Sequence, residues 1–219
     1  MIKWLEDAVF YEVYPQSFRD SNGDGIGDIP GITEKLEYIQ ELGCNALWIN
    51  PCFTSPFYDA GYDVEDYYSV APRYGTNEDL KKLFEAAHQR GMHVLLDLVP
   101  GHTAVTHPWF QESMKAEKNE YTDRYVWTDS LYKRMEDVKG IVSVLRGISP
   151  RPASCGVNCF STQPALNYGF ANITDAGWQQ PTDAPGPMAT REELKNIMRF
   201  WCGLGCDGFR VDMAGSLVK

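Results

Sequence analysis

Gly208-Phe209-Arg210-Val211-Asp212 is a short apolar run broken by an arginine and closed, two residues on, by an aspartate. Side chains alternate along a strand, so Arg210 and Asp212 are expected on one face. A guanidinium beside a carboxylate keeps the acid ionised, which suits it to nucleophilic attack. The run also ends a series. Just upstream, Thr190 with Glu193 reads as a helix cap, and Leu194, Ile197, Met198 and Trp201 recur at helical spacing. Gly205 then stops that helix.

The same strand–helix alternation extends back to the start. Val9 to Tyr14 is rich in aromatic and β-branched residues and reads as a first strand. Ile32, Leu36, Ile39 and Leu42 follow at helical spacing, with Gly43 as the stop. Ala46-Leu47-Trp48-Ile49 is a second strand. Thr76 with Asp79 caps a second helix, striped by Leu80, Leu83, Phe84 and Ala87 and ended by Gly91; Val94 to Val99 is a third strand. Such alternation builds a parallel sheet with right-handed crossovers. A doubly wound nucleotide-binding sheet needs a glycine-rich first turn, and Pro15-Gln16-Ser17-Phe18 is not one. A barrel collects its working residues at strand C-termini, where Asp97, His102, Arg210 and Asp212 all fall.

The expected fold is therefore α/β: the first four βα units of a (β/α)8 TIM barrel. A closed barrel needs eight such units. Barrel units occupy 1–102 together with 188–219. Residues 103–187 are too long for a connection and form a small inserted subdomain after the third strand. Within it, Tyr125-Val126-Trp127 reads as a short strand, and 147–187 are rich in Pro, Gly and Asn.

Composition narrows the partners. Hydrophobic content of 43% and charged content of 23% suit a soluble globular chain. A formal charge of −10 disfavours nucleic acid and anionic membranes, which both require basic patches. Glu6 and Asp7 stand where a signal peptide carries its apolar core, and no run approaches a membrane span. The expectation is a cytoplasmic protein. Cys44, Cys52, Cys155, Cys159, Cys202 and Cys206 read as free buried thiols, because neither pair spacing matches a zinc ribbon.

Asp20-Ser21-Asn22-Gly23-Asp24-Gly25-Ile26-Gly27-Asp28 presents oxygens at alternate positions around tight glycine turns. That pattern suits a hard cation such as Ca2+. Asp20, Asn22, Asp24 and Asp28 would be the side-chain ligands and Ile26 the carbonyl ligand. An EF-hand is excluded, since its twelfth position is Gly31 and a strand precedes the loop. No organic cofactor is expected. A lone histidine such as His102 is by default a satisfied core residue.

Taken in order and spacing, Asp97-Leu98-Val99-Pro100-Gly101-His102, Gly61-Tyr62-Asp63-Val64, the oxygen-rich loop and Gly208–Asp212 resemble the α-amylase-type glycoside hydrolases (glycoside hydrolase family thirteen). They are most like its oligo-1,6-glucosidase and α-glucosidase members. Gln163-Pro164-Ala165-Leu166-Asn167 resembles a marker of that group, with Ala165 in place of the usual Asp. The resemblance implies a retaining hydrolase of α-glucosidic bonds in starch-derived oligosaccharides. Asp212 would be the nucleophile, with Arg210 keeping it ionised. Tyr62 would stack on the terminal glucose and Asp59 would bond its hydroxyls. His102 would bond the primary hydroxyl, Asp97 would orient the site, and Met213 would border the leaving-group subsite. It also implies one structural cation in the loop. Gly101 departs from the family, which usually has Asn before this histidine.

The resemblance covers all 219 residues but only about half of a family catalytic domain. The chain is expected to stop before the acid/base Glu and to be inactive alone. Two alternatives stand beside hydrolysis: transglycosylation, as in a trehalose synthase, or a non-catalytic fragment that binds sugar or a complementary half. Open barrel edges would favour self-association.

Overall fold

A computed structural model describes residues 2–219. After a 3-10 turn at Lys3–Asp7, β1 (Phe10–Val13) leads through α1 (Pro15–Phe18), α2 (Ile29–Glu34) and α3 (Leu36–Glu41) to β2 (Ala46–Ile49). The strands β3 (Phe53–Thr54) and β4 (Asp66–Val70) precede α4 (Asn77–Gln89), β5 (His93–Leu98) and α5 (Pro108–Ser113). Then come β6 (Ser143–Leu145), β7 (Cys155–Val157), α6 (Pro185–Leu204) and β8 (Gly208–Val211). No helix among these residues is long and apolar enough to cross a membrane.

The chain divides into two units. The first takes the chain up to Thr54, then Tyr67–Leu98 and Ile197–Arg210. Its sheet has the order β1-β2-β5-β8. The β1–β2 and β2–β5 pairs are parallel, with Val13 opposite Ile49 and Trp48 opposite Leu95. These strands and their order are those of the first four βα units of an α/β barrel. Leu47, Ile49, Val94 and Leu96 are fully buried, as expected of strands covered on both faces. The Thr76 capping box forms: Asp79 N–H donates to the Thr76 hydroxyl, and the Asp79 carboxylate accepts from Thr76 N–H. Gly91 (φ 70°) and Gly205 (φ 117°) end α4 and α6 in the left-handed region, where a Cβ is disfavoured. On α6, Trp201 is buried, stacks on Phe53 at 5.1 Å and donates from Nε1 to the Tyr67 carbonyl at 2.7 Å.

The second unit comprises Ser55–Asp66, Val99–Asn196 and Val211–Lys219. It therefore contains all of 103–187 and also takes in chain on either side. It has its own core: Phe110, Tyr125, Trp127, Ala153, Cys155, Leu166 and Tyr168. Phe110 stacks on Trp127 at 5.9 Å and meets Tyr125 edge-on at 5.0 Å. Fully burying one such ring contributes on the order of 2–3 kcal/mol, which sustains a segment with little regular structure.

Several local expectations change. The first helix is two, α2 and α3, broken at Lys35 (φ −105°, ψ 8°); the break leaves Leu42 exposed while Ile32, Leu36 and Ile39 stay buried. α6 begins at Pro185, so Thr190 lies inside it and bonds the Gly186 carbonyl at 3.1 Å instead of capping. Proline suits a first turn, whose N–H groups lack helical partners. Tyr125-Val126-Trp127 is no strand: Tyr125 and Trp127 each make one isolated bridge, to Leu166 and Cys155. All six cysteines are free, but Cys202 is exposed and Cys44 and Cys159 half-buried. Burial pushes the Cys52 and Cys206 thiols up to about 12.

Candidate active site

In the first unit, one carboxylate organises the C-terminal ends of neighbouring strands. Asp97, on β5, has no exposed side-chain surface. Arg210 Nη1, from β8, donates to its two oxygens at 3.0 and 3.2 Å. Trp48 Nε1, from β2, donates to Oδ2 at 3.1 Å, and the Arg210 guanidinium lies 4.8 Å from the Trp48 ring centroid. Register explains the meeting: Trp48 is opposite Leu95, and Asp97 is two residues further along the same face. Trp48 was not singled out from the sequence. Its signal was there, since a tryptophan inside an apolar strand must find a partner for its N–H.

β8 ends at Val211, so Asp212 stands in the turn beyond the strand, and strand alternation does not set its direction. Arg210 makes an ion pair with Asp97 at 3.0 Å. Met213 follows with φ 49° and ψ 30°, exposed, before a 3-10 turn at Ala214–Ser216.

The second unit gathers Asp59, Tyr62 and His102. Buried Asp63 folds their loop: its carboxylate accepts from Ser55 Oγ (2.9 Å), Tyr58 N (2.8 Å) and Asp59 N (3.2 Å). Tyr62 N then donates to the Asp59 carbonyl at 2.8 Å, closing a turn through Ala60 (φ 53°) and Gly61 (φ 101°). Asp59 Oδ2 accepts from Gln163 Nε2 at 2.6 Å. His102 is buried; its Nε2 is 2.9 Å from the Tyr62 carbonyl and its Nδ1 is 2.8 Å from Asn158 Oδ1.

The marker Gln163–Asn167 runs alongside the histidine. Ala165 bridges to His102, Leu166 N donates to the Gly101 carbonyl at 3.0 Å, and Ala104 N donates to the Val64 carbonyl at 2.8 Å. Buried Tyr168 donates to the Pro100 carbonyl at 2.8 Å, and Tyr125 shares a 2.7 Å bond with Thr103. Gln163, Asn158 and Asp63 were not assigned site roles from the sequence. Their partners are set by the folded insertion, not by local spacing.

Among the described residues, the non-glycine residues at positive φ are Phe57, Ala60 and Met213. The first two flank Asp59 and the third follows Asp212. Each costs on the order of 1 kcal/mol, and such strain concentrates where a site demands it. The Cys159 thiol is raised by burial first, with the Asp212 and Asp59 carboxylates adding to the effect.

The oxygen-rich loop is folded on its own amides. Asp20 accepts from Asn22, Gly23 and Gly25, Asn22 from Asp24 N, and Asp24 from Ile26 N at 2.8 Å. The bonds from Gly25 and Gly23 hold the Asp20 carboxyl below its ordinary value. Asp28 caps α2 by accepting from Gly31 N at 2.7 Å and also accepts from Ser21. Among the described residues no three His, Cys, Asp or Glu side chains converge as metal ligands do. The donor set is nevertheless all oxygen, as a hard cation requires.

Comparison with known proteins adds to this geometry. The family model of the α-amylase catalytic domain matches residues 12–219. The chain is 38% identical to an oligo-1,6-glucosidase of Bacillus sp. (strain F5), over 100% of this chain and 40% of that protein. It is 42% identical to the trehalose synthase/amylase TreS of Mycolicibacterium smegmatis, over 99% of this chain and 34% of that one. Among solved structures, the trehalulose synthase MutB of Pseudomonas mesoacidophila superposes with a TM-score of 0.84 at 36% identity, over 99% of this chain and 36% of that chain. The chain thus spans well under half the length of the relatives it matches.

Proposed function

Because this chain belongs to the α-amylase family, we propose that it is part of a retaining glycosidase acting on the α-glucosidic bonds of starch-derived oligosaccharides. The observation that carries the reading is the Asp97–Arg210–Trp48 cluster at the strand ends, two residues before Asp212. In the reaction, Asp212 attacks the anomeric carbon as the glycosidic C–O bond breaks, giving a β-glucosyl ester and a leaving sugar whose oxygen takes a proton from a general acid; water then hydrolyses the ester and returns free Asp212. Arg210, anchored on Asp97, keeps positive charge near the nucleophile. Tyr62 offers a ring face to sugar C–H groups. Asp59, held by Gln163, accepts from terminal hydroxyls, and Met213 borders the leaving group. His102 holds the Tyr62 loop through its backbone carbonyl and lines the same sugar.

A retaining mechanism needs a second carboxyl group about 5–5.5 Å from the first. We assign that role to no residue of this chain, so the chain alone is expected to turn over no substrate. The test is nitrophenol release from p-nitrophenyl α-glucoside by the purified chain and by Asp212→Asn. No release from either is the expected outcome, with saturable glucose or maltose binding that Asp59→Ala weakens about tenfold, the loss of a bonded charged group. Release abolished by Asp212→Asn would place a proton donor within these residues. Absence of any sugar binding would overturn the reading.

The 42% identity to a trehalose synthase/amylase favours transglycosylation as a second reading. Sugar acceptors and water compete for one ester, so product analysis of the complete protein separates the two.

The proposal extends to a structural Ca2+ held by Asp20, Asn22, Asp24 and Asp28 with the Ile26 carbonyl. Five oxygens of the right hardness within nine residues support it. Calcium titration by calorimetry should give one site and a raised Tm, both lost in Asp24→Ala. No heat on titration would remove the ion from the reading.

A further inference from the structure

We propose that Asn158 is the positioning residue of His102, and that position 101 is glycine because the Asn158 amide takes the space of its Cβ. A Cβ built on Gly101 would lie 2.7 Å from Asn158 Oδ1, closer than real contacts allow, and at ordinary contact distance, 3.4 Å, from its Cγ. Gly101 does not sit at a positive φ, so conformational freedom is not what requires the glycine there. Room is.

The orientation of the amide follows from its other bonds. Asn158 Nδ2 donates to the Gly140 carbonyl at 2.7 Å and lies 3.5 Å from Ser216 Oγ. That leaves Oδ1 facing His102 Nδ1 at 2.8 Å while the Tyr62 carbonyl stands 2.9 Å from Nε2, so the ring is held between two fixed oxygens. Asn158 is itself buried, with its N–H on the Gln163 carbonyl at 3.0 Å. An anchored backbone, a fixed amide and a second acceptor on the far side, the Tyr62 carbonyl, leave the ring one orientation.

The resemblance leads one to expect an asparagine immediately before the histidine. Here the asparagine amide comes instead from 56 residues beyond it, within the insertion. The exchange also has a consequence for the nucleophile's segment. Ser216 Oγ donates to the Met213 carbonyl at 2.8 Å, so one buried amide stands against both the histidine and the turn that follows Asp212. The link from ring orientation to sugar binding rests on the glycosidase reading; the anchoring of the ring does not.

The test is ring 15N spectroscopy of the histidine-labelled 219-residue chain. The wild type should show one sharp set of His102 ring shifts, as expected of a ring held in a single environment. Asn158→Asp keeps the acceptor and should preserve that signature, whereas Asn158→Ala should lose it. In parallel, Gly101→Ala should lower Tm by about 5 °C, the size expected of an overpacked buried position in a domain of this length. In the Asn158→Ala background the same substitution should cost less than about 2 °C, because the clash is gone. Unchanged His102 ring shifts in folded Asn158→Ala, or additive Tm losses, would each overturn the proposal. Should Asn158→Ala not fold, Asn158→Ser, which also withdraws the amide from the ring, is read in its place against the same two outcomes. Failure of sugar binding alone leaves these signatures intact, and so separates the two readings.

Discussion

Asp97 has no exposed side-chain surface, and a carboxylate so placed stays ionised only with donors against it. Arg210 and Trp48 are those donors. Removing one partner of such a pair leaves the other charge buried and uncompensated. Arg210→Met should therefore destabilise the chain by about 3 kcal/mol, the low end for a broken buried pair because the Arg210 side chain is 36% exposed. Urea unfolding followed by tryptophan fluorescence measures this; a loss under about 1 kcal/mol would mean water compensates Asp97. At this scale the sequence was legible wherever chemistry is announced by position. Asp97 and Arg210 stand out as charges in apolar strands, and the unusual Gly101 marks its histidine. Trp48, Asp63 and Asn158 do not stand out, because a buried tryptophan, aspartate or asparagine is interpretable only once its distant partner is known.

Strands and helices in the first unit are joined by a second, half-buried acid. Asp207, just before β8, accepts from His88 at the end of α4 (2.8 Å), from His93 at the start of β5 (3.0 Å) and from Val94 N–H (2.8 Å). Trp4 stacks on the His93 ring at 4.1 Å and extends the cluster to the first turn of the chain. Burial pushes the Asp207 carboxyl up, but the bonds from His93, Val94 and His88 together outweigh it and hold the group below its ordinary value. A depressed carboxylate stabilises the fold above its unfolded pKa of about 3.9, and that stability is lost as pH falls through the lower folded value. Acid unfolding below about pH 4 should therefore be shallower in Asp207→Asn than in the wild type; parallel curves would contradict this. The strands and the stops at Gly91 and Gly205 were readable because periodicity and left-handed glycine are local signals. The break at Lys35 and the early start of α6 at Pro185 were not, since packing chose between helical registers that propensity leaves nearly equal. Tyr125–Trp127 misled for the same reason: its aromatic residues are buried by Phe110, Cys155 and Leu166 without a strand ladder.

For the molecule as a whole, the sheet order β1-β2-β5-β8 leaves β1 and β8 as edge strands. Edge strands present unpaired backbone groups that invite another chain. Apolar side chains are exposed there: Val9 at 53%, Phe10 at 38% and Val211 at 42%. Against this stands a net charge of −10, which makes like chains repel. That repulsion is screened over roughly 10 Å at 0.1 M salt and roughly 3 Å at 1 M, whereas apolar burial is not weakened by salt. Association should therefore increase with ionic strength, the opposite of a contact held by ion pairs. Sedimentation velocity at about 50 μM, a concentration range where exposed edges associate, should give a weight-average mass above 24.8 kDa that rises between 0.1 and 1 M NaCl. Phe10→Lys with Val211→Lys places charge on both edges and should return the chain toward monomer without altering the Asp97 cluster. A mass constant at 24.8 kDa up to 1 M NaCl and across concentration would show that edge pairing is blocked by something other than charge repulsion, which is screened at that salt, and would overturn this prediction.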